Sequence, residues 1–281
     1  MEQYTPMSAE TLFGLAPSAP DIAAGFGPGS GELFLPERPL GAHLRKWPIV
    51  IAIHGGCWRA KYDRSHIRPF CRALTTLGCA VWNIEYRSVG NGGEWPVIFE
   101  DVAAAVTSLA GFAELHALDL DRVITVGHSA GGHLALWLAA ENENRFRNLS
   151  GSPSSQPIKI VGVLSLAGIT DLADTLKCGV CTGNIVPLLG GTPDQVSSRY
   201  AMASPIQRLP LGVPQILIHG RLDDDVPVDH VRPYVERATS HGDNVALEIV
   251  DACGHFELVS PHSVAWSCVV QSLEQLLKPL P

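Results

Sequence analysis

The chain of 281 residues is short of charge: only 17% of it is Asp, Glu, Lys or Arg, and the formal net charge is −8. No basic block interrupts it, so the electrostatic footprint of a nucleic-acid binder is missing. No apolar run is long enough to cross a bilayer, and the opening MEQYTPMSAE has neither a basic n-region nor an apolar h-region. These absences predict a soluble, cytoplasmic protein with neither a membrane nor a nucleic acid as partner. The acidic excess serves solubility. Seven scattered cysteines, an odd number, suit a reduced compartment better than a disulfide framework. Cys178 and Cys181, in KCGVCTG, have C-x-x-C spacing, but no second pair completes a zinc site and no strand–helix context suggests redox work. They read as loop cysteines, with a metal or redox role as the minor alternative. H-E-x-x-H, a P-loop and a strand-borne G-x-G-x-x-G are also absent.

What is present is an alternation. Residues 1–30, rich in Pro, Gly, Ala and Ser, read as a surface arm, and no repeat follows. Residues 31–36 (GELFLP) read as a short strand, and 48–54 (PIVIAIH) as a strand buried on both faces. Further strands are expected at 79–86, 122–127, 159–168, 213–220 and 244–250. Helices are expected at 66–78, ending at Gly78, at 97–110 after Pro96, from His133 onward, at 228–242 and at 260–277. Residues 145–159 form a polar loop, and 169–212 are irregular, with room for short helices that the sequence does not place. Strands alternating with helices predict an α/β fold: a mostly parallel central sheet with helices on both faces, forming one domain over 31–281. In such sheets ligands bind beyond the carboxyl ends of the strands. Four strand ends carry polar motifs there: HGGCW, GHSAG, HGRLDDD and DACGHFE.

Gly127-His128-Ser129-Ala130-Gly131 falls where a strand becomes a helix. Gly-x-Ser-x-Gly in that context is a nucleophile elbow, whose sharp turn lifts the serine hydroxyl clear of the sheet. Ser129 is the candidate nucleophile, and His128 fills the variable position of the elbow, facing substrate. A serine needs a base. Of eleven histidines, His255 in CGHFE follows the last strand and is the candidate. His66, His230, His241 and His262 read as solvated on or beside helices, His43 and His116 as loop residues, and His133 as part of the elbow helix. His219 ends a strand and is the competitor. The base needs a carboxylate to fix its tautomer. Asp223, Asp224 and Asp225 all qualify, and Asp223, first after the strand-end turn, is preferred. His54-Gly55-Gly56-Cys57-Trp58 supplies oxyanion donors: the N–H groups of Gly56 and Cys57, joined by that of Ala130. His54 braces that loop. Trp58 either lines the acyl pocket or packs beneath the loop.

HGGCW together with GHSAGGHLA resembles the α/β-hydrolase superfamily over nearly the whole chain from about residue 31. Within it the chain looks like the esterase and kynurenine formamidase (arylformamidase) group, which carries His-Gly-Gly-x-Trp. The stretches NIEYRSVGNGGEWPVIFEDVAAAV, LLGGTPDQVSSRYAMASPIQRL and HGRLDDDVPVDH are similar too. Cys57 departs from the larger residues expected at the x position. The resemblance implies a serine hydrolase acting on a small-molecule ester or formamide, with no metal and no organic cofactor. An acyl-peptide hydrolase and a non-catalytic binding protein on the same scaffold are the alternatives, and a homodimer stays open. Residues 169–212 and the loop GNGGEW (90–95) are the expected cap and substrate loops.

Overall fold

The structure, a computed structural model, describes residues 5–16, 18–25, 29–37, 46–141 and 157–278. The reading of His43 and most of the 145–159 loop lie outside the described residues.

Continuous apolar runs make the sheet. The strands are β1 (Ile22–Ala24), β2 (Gly31–Phe34), β3 (Trp47–Ile53), β4 (Ala80–Ile84), β5 (Leu118–His128), β6 (Ile160–Leu166), β7 (Gln215–Gly220) and β8 (Val245–Val250). They lie in the order β1-β2-β4-β3-β5-β6-β7-β8. β2 pairs antiparallel with β1 and β4, and every other pairing is parallel. Side chains alternate across a strand, so an all-apolar strand feeds two cores. Ile49, Ile51 and Ile53 of β3 belong to one core, Val50 and Ala52 to the other.

The helices are α1 (Ala9–Phe13), α2 (Arg68–Leu74), α3 (Val97–Ser108), α4 (Ala130–Ala139), α5 (Leu172–Cys178), α6 (Ile185–Leu189), α7 (Ser197–Ala203), α8 (Arg232–Ser240) and α9 (Trp266–Leu277). The first core takes Phe99 and Val102 of α3, Leu134 of α4 and Tyr234 of α8. The second takes Leu12 of α1, Phe70 and Leu74 of α2, and Val269 and Leu273 of α9. The sheet is therefore covered on both faces, as the alternation of strands and helices predicts.

Two expectations change, and one open segment is filled in. The described part of residues 1–30 is more than the surface arm expected: Ser8 caps α1, Leu12 is buried, and β1 pairs with β2. The last helix begins at Trp266 rather than 260: Ser260 is extended (φ −103°, ψ 117°) before Pro261, and residues 261–265 run as turns, with the Ser263 hydroxyl donating to the Glu257 carbonyl at 2.6 Å. The irregular 169–212 segment contains α5, α6 and α7, and Asp171 caps α5 by accepting N–H groups from Ala173 and Asp174.

Candidate active site

The carboxyl ends of β3, β5, β7 and β8 carry the four polar motifs. At the end of β5 the chain reverses through Ser129, held at φ 55°, ψ −119°. This left-handed conformation is costly for a residue with a side chain. The turn is tight enough that a Cβ on Gly127 would run into the backbone of Gly131, and one on Gly131 into the carbonyls of Ile53 and His54. The Ser129 N–H donates to the Leu166 carbonyl at 2.8 Å, fixing the elbow to β6. Ala130 opens α4, so its N–H has no acceptor within the helix.

Beyond β7 and β8, Asp223 and His255 meet. Asp223 Oδ2 accepts from His255 Nδ1 at 2.7 Å, and both residues are buried. Asp223 Oδ1 accepts the N–H groups of Asp225 (3.0 Å) and Val226 (2.8 Å), which pins the carboxylate. Asp224 and Asp225 are exposed, so of the three adjacent acids the structure brings Asp223 to the imidazole. His219 donates through Nε2 to the Val226 carbonyl at 3.2 Å instead, and burial pushes its pKa down to about 4. The oxygens of Asp223 and Asp225 and a His255 ring nitrogen lie within 4.8 Å of one another. Both Asp223 oxygens already accept N–H groups, which suits an orienting acid better than a metal ligand.

Beyond β3, His54 braces the loop: Nδ1 donates to the Gly55 carbonyl (2.8 Å) and Nε2 to Glu85 Oε1 (2.9 Å). The Tyr86 ring stacks on it, and the Tyr86 hydroxyl donates to the His54 carbonyl at 2.6 Å. Gly56 sits at φ 115°, and a Cβ there would press on Tyr62. Cys57 is disulfide-bonded to Cys181, with 5.4 Å between Cα atoms. This corrects the expectation that the cysteines are all reduced and that Cys181 is a plain loop residue. Cys178 is free and exposed.

Ser129, His255, Gly56, Cys57 and His128 line one cavity of about 360 Å³. Its remaining wall comes from Ala9 and Phe13 of α1, Arg59, Tyr62 and His66, Cys181 and Thr182, Asp225 and Val226, and Phe256. His128 donates through Nε2 to the His255 carbonyl at 2.9 Å, and its ring lies 4.5 Å from that of His255. Burial, and then the neighbouring His255 charge, hold His128 well below the usual histidine range. His66, expected to be solvated, is mostly enclosed against Phe13 and His54. Burial, then repulsion from His54, lowers it to about 4. His230 is not solvated either: it is buried, with Nδ1 on Asp174 Oδ2 at 3.1 Å.

Trp58, one of the expected substrate-binding residues, points away from the cavity. It is fully buried, edge-on to His133 at 5.3 Å, so it packs beneath the loop. The GNGGEW loop contributes nothing to the lining either. It turns back on its own base, with Gly93 N–H on the Ser88 carbonyl at 2.9 Å, and is tied to α6 by the Trp95 N–H on the Leu188 carbonyl at 2.7 Å. The wall that sequence reasoning missed is α1. Glu257, buried beside His255, holds it there: Oε1 accepts the Met7 N–H at 2.5 Å and Oε2 the Gly254 N–H at 3.1 Å.

An eight-stranded, mostly parallel sheet covered on both faces, with the serine on the turn from β5 into α4, defines an α/β-hydrolase fold. The chain belongs to the BD-FAE family, whose model matches residues 35–236. It is similar to Esterase LipC of Mycobacterium tuberculosis, 28% identical over 220 residues, 75% of this chain and 54% of that protein. The probable carboxylic ester hydrolase LipM of the same organism is 26% identical over 239 residues, 82% of this chain and 54% of its own. The chain thus spans about half the length of these curated relatives. Among solved structures, a truncated carbohydrate esterase from gut microbiota superposes with a TM-score of 0.72 at 20% identity, covering 88% of this chain and 89% of its own. Esterase B of Lactobacillus rhamnosis gives 0.71 at 22% identity, covering 88% and 79%. At those identities the likeness speaks for the fold. Among the described residues no helix is long and apolar enough to cross a membrane.

Proposed function

We propose that the protein is a serine hydrolase that cleaves small carboxylic esters, or formamides, through an acyl-enzyme. The observation that carries this reading is the buried Asp223–His255 pair, whose histidine lines the same cavity as Ser129 on its left-handed turn. In this mechanism His255 takes the proton of Ser129 as the hydroxyl attacks the carbonyl. Asp223, bonded to Nδ1, leaves Nε2 as the basic nitrogen and stabilises the imidazolium that forms. The N–H groups of Gly56, Cys57 and Ala130 receive the developing oxyanion. His255 then protonates the leaving group and activates the water that frees the enzyme. The chemistry draws on side chains and backbone alone.

The esterase names of LipC and LipM favour an ester. The formamide alternative rests on the His-Gly-Gly-x-Trp resemblance. The test is a paired assay of purified protein on p-nitrophenyl acetate and butyrate and on N-formylkynurenine, with Ser129→Ala as control. A much higher kcat/KM on the formamide makes it a formamidase, and turnover of the esters alone makes it a carboxylesterase. Retention of activity by Ser129→Ala would sink the mechanism. A fluorophosphonate probe separates an enzyme, which labels at Ser129, from a binding protein on the same scaffold, which does not.

A further inference from the structure

The loop after β3 takes three left-handed residues in a row: Gly56 at φ 115°, Cys57 at 49° and Trp58 at 54°. Glycine enters that region freely. Cysteine and tryptophan do not, and such backbone persists only where its surroundings hold it. Trp58 is held by burial and by the Val89 N–H, which donates to its carbonyl at 2.8 Å. Gly56 is held by the Arg59 N–H on its carbonyl at 3.0 Å. The side chain of Cys57, between them, is held by the bond to Cys181, itself left-handed at φ 49° in the turn after α5. Both half-cystines line the cavity, so the bond ties together two pieces of its wall that lie 124 residues apart.

We propose that the Cys57–Cys181 disulfide is a positioning element of the oxyanion site. It holds the Cys57 N–H where the developing negative charge needs it, so turnover follows the redox state of this one bond. The inference rests on the serine-hydrolase reading above. An oxyanion donor works because it is fixed in advance at hydrogen-bond distance, and a misplacement of about 1 Å is costly to the rate. Cleaving the bond frees the side chain of Cys57 and lets the left-handed turn relax, while Trp58 and the β3 strand stay anchored. The step is a two-electron reduction. A dithiol supplies two electrons and two protons, the S–S bond breaks into two thiols, and the dithiol closes its own disulfide. Cys57 is partly exposed in the cavity, so a small dithiol has a route to it.

The test uses the full chain, assayed with p-nitrophenyl butyrate when oxidised, after reduction with dithiothreitol, and after re-oxidation. Cys181→Ser is run in parallel, and Cys178→Ser, which changes the free neighbouring thiol, is the control. Near-UV circular dichroism at the assay temperature reports whether each form is folded. The expected result is a fall in kcat of at least tenfold on reduction and in Cys181→Ser, with KM changed less than twofold. The rate of fluorophosphonate labelling should fall with kcat, re-oxidation should restore both, and Cys178→Ser should match the unaltered protein. A reduced protein that stays folded and turns over at the oxidised rate overturns the proposal. So does a loss of rate that appears only together with the near-UV signal, which marks a purely structural staple. A thiol titration finding all seven cysteines free in the unreduced, unfolded chain overturns it as well. An oxidised protein that neither hydrolyses esters nor takes the probe overturns the serine-hydrolase reading beneath it.

Discussion

Ser129 is held in a backbone conformation that only a crowded turn can enforce, and two glycines without a Cβ let the backbone pack that closely. Replacing Gly131 by Ala would drive a methyl group into two strand-end carbonyls. A backbone obstacle cannot rotate away, so the expected cost is at least about 3 kcal/mol, or loss of soluble protein, as read by urea unfolding. Removing the hydroxyl is different. Ser129→Ala should leave the unfolding curve in place and lower kcat by on the order of 10³-fold or more. Asp223→Asn should lower kcat by about 10³–10⁴-fold, because an amide in that position favours the wrong imidazole tautomer. Asp224→Asn, at an exposed residue beside it, should stay within twofold in the same assay.

At the scale of elements, α1 makes a wall that the pocket depends on. Phe13 lays a half-exposed ring against Tyr62 and His66, 5.6 and 5.4 Å between centroids. Losing that ring should cost roughly 1 kcal/mol of substrate contact. Phe13→Ala is therefore expected to raise KM for p-nitrophenyl butyrate about fivefold with kcat within twofold, which steady-state kinetics checks. This wall also shows where the sequence could be read and where it could not. The parallel strands β3, β5, β6 and β7 announce themselves, because burial on both faces demands a largely apolar run, and glycine or histidine ends β5 and β7 and follows β3. The motif residues at those ends follow directly from that. The strand β1 is only three residues long, and α1 only five, so neither has enough periods to stand out from its Pro- and Ser-rich surroundings. The direction of Trp58 depends on left-handed backbone at two non-glycine residues, for which a sequence offers no cue. The partner of Cys57 lies 124 residues away, a distance at which spacing carries no information. His66 and His230 look solvated only if each sits on a regular amphipathic helix. Both instead lie in short 3-10 turns that lead into α2 and α8 and turn the rings inward.

At the scale of the whole molecule, buried histidines tie stability to pH. His66, His133 and His219 are pushed down to about 4, and His128 well below its usual range, in each case first by burial. In the unfolded chain these groups take up protons near pH 6.5. Between pH 6.5 and 4 the unfolded state thus binds more protons than the folded one, and stability falls as pH falls. Above about 6.5 the contribution is fully present. The melting temperature should accordingly be level from pH 7 to 8 and drop progressively at pH 6, 5 and 4.5, in scans at constant ionic strength. A Tm that holds steady down to pH 4.5 would contradict this.

The bond from the Met7 N–H to Glu257 joins residues 250 positions apart and closes the wall beside His255. A ribosome makes Met7 250 residues before Glu257. Ser129 and the loop after β3 are likewise translated before the loop that carries His255 and clamps α1. In the proposed mechanism Ser129 therefore stays an inert hydroxyl while the residues between it and His255 are made, and reactivity arrives only when the later segment folds back onto the earlier one.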